Sequence, residues 1–526
     1  MATGANVKGE DIYLYLMQDN KMTKWQAAAD TQPGVKGIYA YGLNVDENLF
    51  TFYANDAAKN AYITFYDTDG NAVATVNVPD VQEGENHINI NVSELEGVQP
   101  GSTLTWSVTV EGEEITTIKR INAAGPTYSG QLYVAVDKSP TSPKMGTIYA
   151  GNRVGSTSTA NGVYLYDANG VRVSDQVYRG NHAWRNNCRM GIDAQGKLYV
   201  PDWGDPTSGV FIADPLNIEG EWTEFFIGTR DGNGLITNNG VNVGSSTPGV
   251  GIGGSGADTK LYVYLEDMIG ASGKGNNVGV YNIGQPDGSV VDTWQTAPSK
   301  FYDVGAMELN GNGNVVADGQ GRGVWVAQYR SAGQNGSGVP SIIFVDNEGN
   351  VTFNSCREPY SEMLNGSDRA GFAINDACDM LVINDGSGVL QFYDLTWNGS
   401  TPDITPTYSY KADARNSAGS IFQMAFDYAG NLVCAGGNIG IYSLPTAQNV
   451  HTTPAMGTII VPGTPPTGHD VNCDGITNIA DATTLIDYLL GADPQPINLD
   501  AAEVDGQQGV SISDLSALID YLLSGN

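Results

Sequence analysis

The chain has 526 residues, a formal net charge of -33 and a pI of about 4.2; 41% of its residues are hydrophobic, 16% are charged, and Gly occurs 67 times. That length calls for several domains with ample apolar material for their cores. So acidic a surface repels a phosphate backbone, which excludes nucleic acid as a partner.

Five cysteines at 188, 356, 378, 434 and 473 form no disulfide framework, and no CxxC pair accompanies the four scattered histidines, which argues against a zinc site. No apolar run reaches the roughly 20 residues of a membrane-spanning helix. The opening residues MATGANVKGED are not a signal peptide. The expectation is a chain whose leader has been removed and which works outside the cell or at its surface.

Residues 1–124 carry alternating stretches such as FTFYAN (50–55), AYITFYDTDGNAVATVNV (61–78), ININ (88–91) and LTWSVTVEG (104–112). Asp69-Gly70 closes a hairpin between two of them. So many short strands in so few residues predict an immunoglobulin-like β-sandwich, with Trp106 in its core.

Residues 125–447 hold a degenerate repeat. GIDAQGKLYV (191–200), ELNGNGNVVA (308–317), AINDACDMLV (373–382) and AFDYAGNLVC (425–434) align, with Asp193, Asn310, Asn375 and Asp427 at one place. These side chains start a tight turn. Gly196, Gly313 and Gly430 then supply positive φ, and Cys378 in the same place predicts a distorted turn. Weaker copies stand at 132–151 and 254–267. A third strand follows each copy: GVYLYD (162–167), GVFIAD (209–214), VGVYNI (278–283), GVWVAQY (323–329), GVLQFYD (388–394) and IGIYSL (439–444). Six such meanders predict a six-bladed β-propeller. The pattern resembles the NHL-type and lactonase-type propellers, whose inner strands end in a similar turn. Ring closure requires a strand from outside the repeats, either ITTIKRI (115–121) or GTIIVP (457–462).

Propellers bind ligands where loops feed the inner strands. The loops expected there carry His182, Trp184, Arg185, Asp202, Trp203, Tyr302, Asp303, Asp368 and Arg369. Aromatic rings beside Asp and Arg suit a sugar, through stacking and hydroxyl hydrogen bonds. The spacing of Asp202, Asp303 and Asp368 does not show whether two carboxylates converge as a glycosidase needs. No nucleophile elbow, HExxH or P-loop stands out.

Residues 448–468 read as a linker ending in VPGTPPTG (461–468). The last region, 469–526, carries the strongest motif. DVNCDGITNIAD (470–481) places oxygen donors at positions 1, 3, 5, 7, 9 and 12 of a 12-residue calcium loop: Asp470, Asn472, Asp474, the Ile476 carbonyl, Asn478 and Asp481. Gly475 stands at position 6, where the sharp turn needs it. VSISDLSALIDYLL (510–523) repeats TNIADATTLIDYLL (477–490), so a second loop spans EVDGQQGVSISD (503–514). It offers Glu503, Asp505, Gln507, the Gly509 carbonyl, Ser511 and Asp514. Gln507 replaces a carboxylate and Gln508 the glycine, so a weaker second site is expected. Ten acidic residues and no Lys or Arg lie between 469 and 526, which predicts metal-coupled folding.

Two loop–helix units without an entering helix resemble type I dockerins, and the tail is similar to dockerin-like tails on secreted proteins of gut Bacteroidetes. The resemblance implies Ca2+ as the bound ion and a cohesin-like or other protein partner. It also implies partner contacts at Ile479, Ala480, Ile512 and Ser513 in the loops and at Ile486, Asp487, Ile519 and Asp520 on the helices. That surface is more apolar and acidic than the Lys-Arg pair of the clostridial family.

The fold expected is therefore mainly β, a sandwich and a propeller, with a small α-helical calcium-loop domain at the end. The function expected is a non-catalytic extracellular protein that binds a glycan or protein and is tethered by its tail. The alternatives are a tethered propeller enzyme acting on carbohydrate (hydrolase, lyase or lactonase) and a structural surface or filament subunit.

Overall fold

Short apolar runs separated by Asp, Asn and Gly turns fold as antiparallel hairpins along most of the chain. The computed structural model describes residues 13–18, 21–26 and 34–524, less 129, 156–158, 185, 205–207, 227–228, 231–235, 239–240, 243–245, 271–272, 292–299, 303–312, 329–341, 358, 361–370, 387, 416–419, 462–468, 493, 506 and 508. Two compact units emerge: Met1–Gly42 with Gly112–Val450, and Leu43–Glu111 with His451–Asn526.

Among the described residues the first unit is a ring of six sheets, with a further small sheet of Thr229–Arg230, Ile236–Asn238 and Val241–Asn242, so the propeller expectation holds. Blade 1 comprises Leu132–Val136, Ile148–Asn152 and Gly162–Tyr166, with isolated bridges from Val163 to Tyr178 and from Tyr166 to Arg172 at its outer edge. Blades 2 to 5 start at the inner strands Gly191–Ile192, Ser246–Gly253, Gly313–Ala317 and Phe372–Ile374. Blade 6 starts at Gln423–Phe426. Each inner strand neighbours the next, and the sixth returns to the first.

Of the two strands offered for closure, the first does it. Lys119–Arg120 pairs with Ile439–Ser443 as the outer strand of blade 6. Ile459–Ile460 pairs instead with Thr103 and Leu104 in the second unit.

The turn after the inner strand repeats one geometry in blades 2, 4, 5 and 6. The amides of Gly196, Gly321, Cys378 and Gly430 donate to the carbonyls of Asp193, Asp318, Asn375 and Asp427 at 3.0 to 3.1 Å. Their φ values are 83°, 72°, 54° and 80°. Two expectations are corrected here. Cys378 adopts the same left-handed turn as the glycines rather than distorting it. In blade 4 the turn is Asp318–Gly321, not Asn310–Gly313: Gly313 opens the inner strand, and GVWVAQY begins the second strand rather than the third. Asn310 lies outside the described residues.

Gly196 and Gly430 share a backbone conformation but not a setting. A Cβ on Gly196 would stand 2.0 Å from Ser142 Oγ and 2.8 Å from Asp137 Oδ2, whereas one on Gly430 would meet nothing within 4 Å. Gly430→Ala is expected to cost about 1 kcal/mol, from its left-handed φ alone. Gly196→Ala is expected to cost about 2 to 3 kcal/mol, because Ser142 is buried and must move. Paired thermal melts check this, and equal losses would contradict it.

A strap formed by residues 34–41 lies on the ring. Gly37 N–H donates to Asn431 Oδ1 at 2.9 Å, and Asn431 Nδ2 returns a bond to Gly37 O at 2.9 Å. Asn449 does the same between Ile38 N–H and Lys36 O, at 2.9 and 2.6 Å. Asn431 Nδ2 also reaches Asp427 Oδ2 at 2.7 Å. Burial pushes the Asp427 carboxyl up to about 7, against the bonds from Asn431 that pull it down.

The second unit contains two antiparallel sheets and the tail. One sheet holds Ala40–Asp46, Leu49–Ala54 and Gly84–Asn89; the other holds Asn60–Tyr66, Ala72–Asn77, Thr103–Glu111 and Val450–Pro454, with Ile459–Ile460 on its edge. Phe50 meets Phe65 and Trp106 edge-on, with centroids 5.6 and 4.9 Å apart, and all three are buried. Trp106 is therefore core.

The boundaries expected at 124 and 448 do not describe these sheets. Residues 450–460, expected as linker, supply sandwich strands. Tyr13–Gln18 and Lys21–Gln26, expected in the sandwich, form a hairpin that extends blade 5, with Lys24–Gln26 parallel to Tyr408–Tyr410.

The tail folds as α1 (Ile479–Leu489), α2 (Leu499–Ala502) and α3 (Ile512–Ser524). Val471, Ala482, Leu485, Ala502, Leu515 and Leu518 form its core.

Candidate functional site

In the first tail loop, Asp470 and Asp481 are fully buried. Asp470 accepts from the amides of Asp474 (3.2 Å) and Gly475 (2.9 Å). Asp481 accepts from Asn472 N–H at 3.0 Å and from Asn478 N–H at 2.7 Å. The second of these bonds belongs to a capping box that starts α1, so one carboxylate both caps the helix and closes the loop. Gly475 has φ 83°, as its place at the sharp turn requires. Asp474 turns to Ile476 N–H (2.9 Å) and the Asn472 amide (3.0 Å).

Among the described residues no three His, Cys, Asp or Glu side chains gather closely enough to hold a metal. The donors nevertheless fit calcium by their chemistry. They are hard oxygens on one short loop, two of them buried carboxylates, in a segment with no cationic Lys or Arg.

The second loop is wired differently. Asp514 is buried and accepts from the amides of Val504 (2.8 Å), Asp505 (3.0 Å) and Ser511 (2.8 Å). Burial pushes its carboxyl up, but these amides and the Ser511 hydroxyl outweigh that and hold it below the usual carboxylate range. Ser513 Oγ donates to Asp505 Oδ2 at 2.6 Å and contacts Ser511 Oγ at 2.7 Å. Hydroxyls thus engage an oxygen that a cation would take. Glu503 is bonded to Gly509 N–H at 2.9 Å, Gln507 is exposed, and the positive φ (102°) falls at Gly509, one position later than in the first loop.

The expected partner residues lie on the outer faces of α1 and α3. Ile479, Ile486, Asp487, Ile512, Ser513, Ile519 and Asp520 are exposed, and Ala480 is half-buried. Exposure matches between the repeats: 71% and 69% for Ile479 and Ile512, 37% for both Ile486 and Ile519. Leu490 and Leu523, each 80% exposed, extend both stripes and were missed in the sequence. The repeated LIDYLL carried that signal in its last Leu.

On the propeller, the structure brings together His182, Trp184 and Asp202, whereas Trp203 packs on a separate cluster of Tyr133, Cys188 and Phe422. His182 Nε2 lies 2.9 Å from Asp202 Oδ2, and its ring packs on Phe211 (3.9 Å) and Trp184 (4.5 Å). Trp184 is buried and donates from Nε1 to Arg179 O at 2.7 Å. Asp202 is fully buried and accepts from Asn186 and Gly204 N–H at 2.9 and 2.8 Å. Trp203 is half-buried, with the Arg153 guanidinium 4.7 Å above its ring. Tyr302 stands apart, buried in the outer strand of blade 3 against Tyr262. Trp184 and Tyr302 thus serve packing rather than an open ligand face. Arg185, Asp303, Asp368 and Arg369 lie outside the described residues.

The channel between the inner strands encloses about 330 Å3. Gln423 and Lys138 border it, and the buried Arg189 donates from Nη1 to Gly313 O (3.3 Å) and Pro248 O (3.5 Å), at the starts of blades 4 and 3; all three were missed in the sequence. Gln423 crosses from blade 6, accepting from Val134 N–H at 3.1 Å and donating to Met190 O at 2.8 Å. Its partner Met190 is 233 positions away, so no local pattern marks it.

Comparison with known proteins places one segment. Residues 468–523 match the dockerin type I domain, a calcium-binding module that binds cohesin partners. No curated protein matches the chain. Similar solved structures include a protein of unknown function from Bacteroides thetaiotaomicron, at 12% identity and TM-score 0.37, covering 81% of this chain and all of that one. An auxiliary nutrient binding protein from the same organism has 8% identity and TM-score 0.37, covering 79% of this chain and 99% of its own. U3-55K has 13% identity and TM-score 0.34, covering 62% of this chain and 98% of its own.

Proposed function

We propose that this is a non-catalytic binding protein of the extracellular space or cell surface. Its six-bladed propeller recognises a glycan or protein ligand on the face where loops enter the inner strands. An immunoglobulin-like sandwich accompanies it, and the tail, loaded with calcium, attaches the whole to a protein partner. In the tail, Asp470, Asn472, Asp474, the Ile476 carbonyl, Asn478 and Asp481 would hold the ion, which supplies the charge that balances these carboxylates.

The observation that carries this reading is the duplicated apolar stripe on α1 and α3. Each helix already buries one side in the tail core, through Leu485 or Leu518. An amphipathic helix ordinarily leaves the other side polar. Here that side shows Ile479, Ile486 and Leu490, or Ile512, Ile519 and Leu523, beside Asp487 or Asp520. Such a surface suits a partner with an apolar centre and a basic rim. On the propeller side, Asp376 is the one carboxylate among the described residues that border the channel, which favours binding over carboxylate-pair hydrolysis.

Calorimetry of the full chain against a panel of recombinant cohesin modules tests attachment. At least one should bind in calcium and not in EGTA. Ile486→Ala with Ile519→Ala should weaken it about tenfold or more, as loss of buried apolar anchors does. If no cohesin bound in calcium, or if the double variant bound unchanged, the attachment reading would fail.

A further inference from the structure

The loop face of the ring carries a cation held by neutral groups. Gln131 precedes the first strand of blade 1 and Arg153 follows its second; Asn186 lies on the entry to blade 2 and Trp203 follows that blade's second strand. All four stand where blades 1 and 2 meet. The Arg153 guanidinium lies 4.7 Å from the Trp203 ring centroid. Its Nε donates to Asn186 Oδ1 at 2.9 Å, and its Nη1 donates to Gln131 Oε1. Both supports are themselves held: Trp203 N–H donates to Asn186 O at 2.8 Å, and the Tyr133 hydroxyl donates to Gln131 Oε1 at 2.7 Å. Arg120, Arg172 and Arg322 each pair with an aspartate, whereas no carboxylate pairs with Arg153 among the described residues. Asp202, which accepts from Asn186 N–H, is turned to His182 and Gly204 N–H instead.

The orientation of the two amides decides what this place can take. An amide that turns its oxygen to a guanidinium leaves its NH2 group as the remaining end. Asn186 Nδ2, Gln131 Nε2 and Arg153 Nη2 donate to no acceptor among the described residues. All three side chains are half-buried, so solvent reaches them. Stacking on Trp203 fixes the plane of the guanidinium without taking up its N–H groups. The cluster therefore offers several donors and one positive charge, and its side-chain acceptors are already engaged. An ionised carboxylate is an acceptor only and answers such a set, whereas a neutral hydroxyl or amide answers it in part. We propose that this site binds the carboxylate of an acidic sugar residue, with Arg153 as its counterion and the Asn186 and Gln131 amides donating to oxygens beside it. The proposal rests on the glycan branch of the reading above and names its ligand class. A single uronate in a neutral glycan brings one charge to a chain of net charge -33, where a run of acidic side chains would be repelled.

Array screening of the full chain, followed by calorimetry, tests this with oligosaccharides that carry one terminal hexuronate, their methyl esters, the neutral hexose counterparts and the 6-sulfated counterparts. A uronate-bearing sugar should bind, and its methyl ester should bind about tenfold or more weakly, as loss of one charged hydrogen-bonded contact does. That comparison uses the unaltered chain and needs no variant. Arg153→Gln, checked for folding by thermal melt, should bring acid and ester to equal affinity. Acid and ester bound alike, a neutral sugar preferred to both, or an Arg153→Gln chain that still prefers the acid would overturn this inference and leave the glycan reading standing. A preference for the sulfated sugar would overturn the carboxylate assignment in the same way. Binding of no sugar, with or without binding of a Glu-rich peptide run alongside, would overturn both.

Discussion

Stripping calcium from the full-length protein with EGTA is expected to unfold α1 and α3 and leave the propeller and sandwich intact. Titrating calcium back is expected to return one tight site, not two. Asp470 and Asp481 are fully buried in a segment of ten acidic residues with no Lys or Arg. Burying carboxylates without a cation costs several kcal/mol each, more than the small tail core of six buried side chains offsets. The second loop has a neutral amide at Gln507 and a serine hydroxyl on Asp505. It therefore closes on its own hydrogen bonds. Asp481→Ala should abolish the tight site and cost about 1 kcal/mol more through the lost helix cap. Asp505→Ala should leave the tight site unchanged. Limited proteolysis between 465 and 526 reads the unfolding and calorimetry reads the count. Tail helices that survive EGTA, or two tight ions per chain, would contradict the expectation.

The second large effect is expected at Trp325. It is fully buried between blades 4 and 5, with ring centroids 5.0 Å from Phe344, 5.5 Å from Phe353 and 6.0 Å from both Phe372 and Trp397. Phe372 and Trp397 belong to the next blade, so this one side chain fills the seam. Trp325→Ala should destabilise the propeller by about 4 kcal/mol, through lost burial and the cavity left behind. Trp325→Phe should cost clearly less, because the indole Nε1 has no hydrogen-bond partner among the described residues. Differential scanning calorimetry reads both variants. Equal losses would show that the indole N–H, and not the volume, is what matters.

What the sequence reveals divides along the range of the interactions involved. The tail was legible because its signals are local: a 12-residue loop, a cap three residues into a helix, and a repeat of LIDYLL. The inner hairpins were legible for the same reason, since Asp193 and Gly196 make their turn among themselves. Blade 4 misled because two glycine-rich runs of sequence stand in tandem there, NGNG and DGQG, and only the pairing with Val324–Gln328 shows that the second is the hairpin. The sandwich boundary was not legible. Val450–Pro454 joins strands more than 300 positions earlier, and nothing in VHTTP says so. The ligand face was read by residue type, and type does not separate a half-buried Trp203 from a buried Trp184 or Tyr302. Gln423 and Arg189 were missed because their partners belong to other blades.

The strand Val450–Pro454 has a mechanical consequence. It stands in the chain between the last ring strand and the segment that leads to the tail. If the tail is anchored and the propeller grips something large, tension runs from Val461 back through the chain. It meets the short ladder of Ile459–Ile460 on Thr103–Leu104 first, and the longer strand Val450–Pro454 next. Only after both does it reach Asn449 and the ring strap. The sandwich would thus act as a fuse in series, yielding under load before the propeller does.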